Sequence, residues 1–108
     1  MTVPRSRHAV SLSSVVVVGK GQISSDLAGE AVILNLETGM YYGLARVGAR
    51  IWDLIREPTR VVDIRDAIVR EYEVEVERCQ HDVLCLLEQL ADTGLIEFRD
   101  GAARDARD

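Results

Sequence analysis

The sequence has few cysteines, no stretch long and apolar enough to cross a membrane, and fewer basic than acidic residues. Its two cysteines, Cys79 and Cys85, lie six residues apart in one predicted helix, too far round and along it to form a native disulfide. Neither has a pair of histidines nearby at ligand spacing, so we expect no zinc site and no other metal site. This use of cysteine predicts a reducing, cytoplasmic environment.

Signals for export and for catalysis are missing as well. The N-terminal residues lack the continuous apolar core of a signal peptide, and the valine run at residues 15–18 is far shorter than a membrane span. His8 and His81 have no serine or cysteine partner fixed in sequence, and there is no glycine-rich phosphate loop or two-histidine metal motif. We therefore expect no membrane attachment, no cofactor and no enzymatic activity.

Charge and length restrict the class of protein further. The net charge is −5, from 13 basic and 18 acidic residues, which opposes binding to nucleic acid unless the basic residues gather on one face. A chain of 108 residues suffices for one domain with a modest core. We predict that residues 9–98 form that domain and that the polar ends, residues 1–8 and 99–108, are flexible tails.

The most informative stretch, residues 30–44, has the pattern of a β-hairpin. Val32, Ile33 and Leu34 favour a strand, the polar connection ends in Gly39, and residues 40–44 resume with aromatic side chains. A first strand is predicted within residues 10–18, and residues 21–29 are predicted to be a loop. Because the later helices must pack on one face of this hairpin, the backbone edge of residues 40–44 is a candidate place for another strand to add, depending on where the first strand of the chain pairs.

Three amphipathic helices follow the hairpin. Apolar residues recur at steps of three and four over residues 46–56, 61–72 and 75–92. In the third helix one stripe is predicted to face the core, and it consists of Val76, Cys79, Val83, Leu86, Leu87 and Leu90. Gly94, followed by two apolar residues, is predicted to end this helix as a left-handed cap.

Three strands followed by three helices predict an α+β fold that resembles a winged helix-turn-helix domain with a three-stranded antiparallel sheet. Such an outline admits a DNA-binding regulator. In that case the third helix would have to enter the major groove, yet it carries five acidic residues and only one basic residue, Arg78. DNA binding is therefore the less favoured alternative.

Several segments also resemble the PqqD family of peptide-binding proteins, which recognise the precursors of ribosomally made, modified peptides. The resemblance covers residues 32–96 and is carried by AVILNL at residues 31–36, GMYYGL at 39–44, VGARIW at 47–52, the spaced residues Asp82, Val83, Leu86 and Leu90, and GLI at 94–96. Glycine and alanine before Ile51 and the double tyrosine are similar to the stand-alone members of lasso-peptide pathways.

The resemblance implies an adaptor that binds the leader segment of a precursor as a strand added beside the third strand, in a groove bounded by the last helix. It places the leader-binding site on Met40, Tyr41, Tyr42, Gly43, Leu44, Asp82, Val83, Leu86, Leu87 and Leu90. It also implies delivery to a cysteine-protease-type leader peptidase and to an ATP-dependent cyclase. A chaperone for another peptide pathway, such as pyrroloquinoline quinone maturation, is the alternative within the family.

These residues also have a purely structural interpretation. Tyr41 and Tyr42 point to opposite faces of one strand, so one of them is expected in the core. Val83, Leu87 and Leu90 fit the core stripe, whereas Leu86 at its margin is a better groove candidate. If the amide of Tyr42 faces the open edge, Tyr42→Pro is expected to abolish leader binding, because proline has no N–H to donate.

Overall fold

The computed structural model describes residues 10–99. The predicted tails, residues 1–8 and 99–108, therefore lie outside the described residues except for Arg99. The backbone N–H of Arg99 donates to the carbonyl oxygen of Val15 at 2.8 Å, so the hydrogen-bonded backbone continues one residue into the segment predicted to be a tail.

Six strands and three helices make up the described chain. In chain order they are β1 (Val15–Val18), β2 (Gln22–Leu27), β3 (Glu30–Asn35), β4 (Tyr41–Ala45), α1 (Val47–Leu54), β5 (Thr59–Arg60), α2 (Val61–Tyr72), α3 (Val76–Asp92) and β6 (Ile96–Phe98). The strands form two antiparallel sheets of three, in the orders β2-β3-β4 and β5-β1-β6. The predicted α+β class, with a three-stranded antiparallel sheet and three helices, is confirmed.

The composition of the main sheet differs from the prediction, because residues 21–29 form a strand and a turn rather than a loop. Ala28 and Gly29 have φ of 53° and 83°, as the two central residues of a tight hairpin turn require, and they join β2 to β3. The predicted first strand is β1, and it lies in the second sheet. The side chains of β2 on the inward face, Gln22, Ser24 and Asp26, are polar, so the strand lacks the inward apolar alternation by which half-buried strands are recognised.

The helices close over one face of the main sheet and bury the core. The interior stripe of α3 is confirmed for Cys79, Val83, Leu87 and Leu90, all of which are buried. It is wrong for Val76, which is 45% exposed because the first turn of α3 has no element of the described chain packed over that side chain, and Leu86 is half-buried. Trp52 of α1 is also buried, and its indole Nε1 donates to Ser24 Oγ of β2 at 3.2 Å, which fastens the helix to the polar strand. Each large apolar side chain removed from water in this way stabilises the fold by about 1.5–3 kcal/mol.

The predicted cap at the end of α3 is confirmed. Gly94 has φ of 79°, its N–H donates to the Ala91 carbonyl at 3.0 Å, and the N–H of Leu95 donates to the Leu90 carbonyl at 3.0 Å. This pair of bonds satisfies two of the carbonyls left open at the helix end. Within residues 10–99, no helix is long and apolar enough to span a membrane.

Candidate functional site

The free edge of the main sheet is formed by β4, which pairs with β3 on one side and with no other strand of the described chain. Asn35 N–H donates to the Met40 carbonyl at 2.9 Å, and Arg46 N–H donates to the Gly29 carbonyl at 3.4 Å. Both bonds fit the single register of the β3–β4 ladder, in which Ile33 is opposite Tyr42. Backbone groups in an antiparallel ladder alternate in direction, so this register decides which groups are free.

The alternation assigns the N–H and C=O of Tyr42 and Leu44 to β3 and directs those of Tyr41, Gly43 and Ala45 away from the sheet. The amide of Tyr42 therefore does not face the open edge, and the condition attached to Tyr42→Pro is not met. The side chains alternate too: Tyr42 and Leu44 are half-buried against the core, whereas Tyr41 is 68% exposed. Tyr42 is thus the inward member of the tyrosine pair.

The two edges of this sheet are protected to different degrees. Along β2, Gln22 Nε2 donates to the Gly19 carbonyl at 2.6 Å, and Asp26 forms an ion pair with Arg56 at 3.3 Å. Charged side chains on an edge strand discourage the addition of another strand. β4 contains neither a charged residue nor a proline, so it is the edge better suited to accept an extended peptide.

A groove of about 550 Å³, here called the α1–α3 groove, lies between the helices that follow β4. Its walls come from α1, the end of α2, the α2–α3 connection and α3, and its lining residues are Val47, Ile51, Ile68, Val74, Glu75, Arg78, Cys79, Asp82, Val83 and Leu86. Leu44 of β4 packs against Gly48 of α1, where an added Cβ would lie 3.5 Å from the leucine side chain. Through this contact, α1 connects the strand edge to the groove.

The floor of the α1–α3 groove is apolar and its rim is charged. Glu75, Arg78 and Asp82 are exposed, and Arg78 Nε lies 3.8 Å from Asp82 Oδ2. Cys79 is buried at the floor, where burial raises the pKa of its thiol above the ordinary value. Burial therefore makes this thiol less nucleophilic than that of an exposed cysteine.

The predicted site residues occupy three different environments. Asp82, Val83 and Leu86 line the α1–α3 groove. Five others form the β4 edge and the residue before it, namely Met40, Tyr41, Tyr42, Gly43 and Leu44. Leu87 and Leu90 are buried in the core behind the groove wall, and they are not among the groove residues. They support the wall, and a direct contact of either with a peptide stays a prediction.

The sequence did not predict the residues at the end of the groove near the α2–α3 connection. Val74 and Glu75 lie in the α2–α3 connection and Arg78 in the first turn of α3, and none of them was predicted to be a site residue. The available signal is Val74, an apolar residue between two glutamates in the α2–α3 connection. Val74 lines the groove, whereas Val76 at the start of α3 lies outside it.

Comparison with known proteins places this geometry in a family. The model of the family described as "Coenzyme PQQ synthesis protein D (PqqD)" matches residues 30–96, more than half of the chain and all of the site. The chain belongs to the PqqD family. Among curated proteins, no sequence matches it.

Solved structures share this PqqD fold. The chain is 38% identical to TbiB1, solved in complex with the TbiA(beta) leader peptide, with a TM-score of 0.72 over 75% of this chain and 94% of TbiB1. A lasso peptide synthetase B1 solved with its leader peptide has 21% identity and a TM-score of 0.69, over 76% and 96% of the two chains. The PqqD truncation of Methylobacterium extorquens PqqCD, a stand-alone recognition element, has 21% identity and a TM-score of 0.68, over 82% and 95%.

Proposed function

We propose that this PqqD-family chain is a non-catalytic recognition element that binds the leader segment of a ribosomally made precursor peptide, of the lasso class. The observation that carries the proposal is the uncharged, unpaired β4 edge beside an apolar groove. The 38% identity to TbiB1, a protein solved with a leader peptide, supports it. Gly48, Ala49 and the double tyrosine resemble the stand-alone members of lasso-peptide pathways.

Binding begins with the backbone of β4. An extended leader placed beside this strand would exchange hydrogen bonds with the free groups of Tyr41, Gly43 and Ala45. Each such bond contributes a net stabilisation of about 0.5–1.5 kcal/mol and depends little on the leader's sequence. The strand edge therefore supplies affinity for any extended peptide.

Specificity comes from the α1–α3 groove. A leader side chain that packs on Ile51, Val83 and Leu86 would be transferred from water to an apolar surface. For a large aliphatic or aromatic residue this burial contributes about 1.5–3 kcal/mol to the free energy of binding. Charged leader residues would meet Asp82 or Arg78 at the rim, where exposure to solvent limits each ion pair to about 1 kcal/mol or less. The apolar contact therefore selects the leader more strongly than the charges do.

The bound leader is then delivered to processing enzymes. In the lasso pathway these are a cysteine-protease-type leader peptidase and an ATP-dependent cyclase, and we propose that the chain presents the precursor to them in the cytoplasm. The two free cysteines are in keeping with a reducing compartment. Burial of the Cys79 thiol, which raises its pKa, is in keeping with a role in binding.

Titration of the labelled chain with the TbiA(beta) leader peptide tests this function. We expect saturable binding in the micromolar range, with amide shifts concentrated in β4 and along the α1–α3 groove, and a scrambled peptide serves as the control. Binding instead to a leader from pyrroloquinoline quinone maturation would assign the chain to that pathway. Failure to bind any leader, or a gel shift with duplex DNA at low salt, would refute the proposal.

A further inference from the structure

The face of the main sheet that points away from the helices is unusually apolar. The register of β2, β3 and β4 determines which residues lie on this face, here called the outer face. They are Ile23, Ser25, Leu27, Glu30, Val32, Leu34, Tyr41, Gly43 and Ala45. Of the eight large hydrophobic side chains exposed in residues 10–99, five lie on the outer face or in the β3–β4 connection at its end: Ile23, Leu27, Leu36, Met40 and Tyr41.

Nothing in the described chain covers the outer face. The helices pack on the opposite side of the sheet, where Ala31 and Ile33 are fully buried. Glu30 is the only charged residue of the outer face, so this surface lacks the charged side chains that usually favour exposure of a sheet face to solvent. A contiguous apolar patch of this kind on a small protein marks an interaction surface.

We propose that the outer face docks the enzyme that processes the bound precursor, an inference that rests on the proposed function. Tyr41 carries the argument, because its backbone groups belong to the free edge of β4 while its side chain belongs to the outer face. A leader added to β4 would continue the sheet, and every second leader side chain would stand beside Tyr41 on the same side. One enzyme surface could therefore contact the outer face and the leader together.

The size of the outer face favours this occupant over a second copy of the chain. Three strands of five or six residues present a surface about 14 Å by about 20 Å, roughly 300 Å² in projection. A stable protein interface needs about 800 Å² from each partner, so the outer face alone is too small for a lasting dimer. An enzyme that also holds the leader gains a second point of attachment, which compensates for the small area.

The double variant Ile23→Thr/Leu27→Thr tests the inference. Both residues are on β2, two strands and about 10 Å from β4, so the leader edge is untouched. Threonine keeps the preference for a strand and removes the apolar surface. Val76→Thr is the matched control, because Val76 is 45% exposed at the start of α3 and is outside both the outer face and the α1–α3 groove.

Two quantities are measured for each protein: affinity for the labelled leader, and kcat/KM for leader removal by the cysteine-protease-type peptidase acting on the same precursor. In the double variant we expect the affinity for the leader to stay within about twofold of wild type. We expect kcat/KM to fall about tenfold, because two apolar side chains that contact the enzyme are lost. Val76→Thr should change neither quantity.

The competing outcomes are distinguishable. Unchanged kcat/KM in the double variant overturns the docking surface while leaving the proposed function intact. An equal loss of leader affinity and kcat/KM also overturns it, because the outer face would then act only through leader binding. A wild-type dimer that dissociates in the double variant would make a second copy the occupant, and a wild-type chain that binds no leader refutes both proposals.

Discussion

The direction of the backbone groups in β4 predicts that two substitutions of Gly43 affect leader binding differently. The N–H of Gly43 points to the free edge and takes no part in the β3–β4 ladder. Gly43→Pro removes this donor, and an edge strand tolerates proline where its nitrogen faces solvent. Gly43→Ala keeps the donor, and its added Cβ meets no atom within 4 Å. The pair therefore isolates one hydrogen bond to the leader.

The loss in the proline variant has two parts. One backbone bond of about 0.5–1.5 kcal/mol disappears, and the leader carbonyl that it served is left without a donor, so the total is about 1–2 kcal/mol. Leader affinity should fall about 5- to 30-fold in Gly43→Pro and stay close to wild type in Gly43→Ala.

Isothermal titration with the TbiA(beta) leader, at matched circular dichroism and melting temperature, measures this difference. Tyr42→Pro is the complementary variant, because its N–H belongs to the ladder with Ile33, and we expect it to destabilise the sheet itself. If Gly43→Pro and Gly43→Ala bind the leader equally well while both stay folded, the leader does not add to β4 and the reasoning fails.

Three further predictions concern single residues. Leu87→Ala should lower the free energy of unfolding by about 2–5 kcal/mol in denaturant titrations, whereas Leu86→Ala should mainly weaken leader binding, since Leu87 is fully buried and Leu86 lines the groove. The bidentate hydrogen bond from Arg50 lowers the pKa of the Glu71 carboxyl in the folded protein. This contact therefore stabilises the fold at pH values above the carboxyl's pKa in the unfolded chain, and the stabilisation is lost as the pH falls through the folded-state pKa. In Arg50→Gln, NMR titration should show a Glu71 pKa higher than in the wild type. Arg46, at φ 55° and ψ −119°, has a backbone that glycine adopts more easily, and Arg46→Gly should raise the unfolding free energy by about 1 kcal/mol in thermal melts.

Much of the helical part of this fold is predictable, because each helix buries a stripe that repeats every three or four residues. The range predicted for α2, residues 61–72, matches the structure, and α3 differs only at its first residue. β2 could not be found in the same way. It is held by its ladder to β3 and by the bond from Trp52 to Ser24, and neither contact leaves an apolar pattern in the sequence.

The site was predictable at the strand edge and less so at the groove. The hairpin pattern of residues 30–44 is visible in the sequence, and it indicates residues 40–44 as the edge to which a strand can add. Leu86 and Leu87, in contrast, belong to one apolar stripe, and only the position of α1 decides that the first lines the groove while the second is core. The groove is formed by three helices. Its end at Val74, in the α2–α3 connection, therefore depends on how the helices pack together, which the spacing of apolar residues in the sequence does not encode.

The central strand of the main sheet uses its odd-numbered residues to bond β4 and its even-numbered residues to bond β2. A peptide laid on β4 inherits this alternation. Sliding the peptide by one position would exchange its groove-facing side chains for the opposite set, while sliding it by two would bring back a matching set. Within the segment that pairs with β4, leaders should therefore tolerate insertion or deletion of a residue pair better than that of a single residue, which would turn the following side chains to the opposite face.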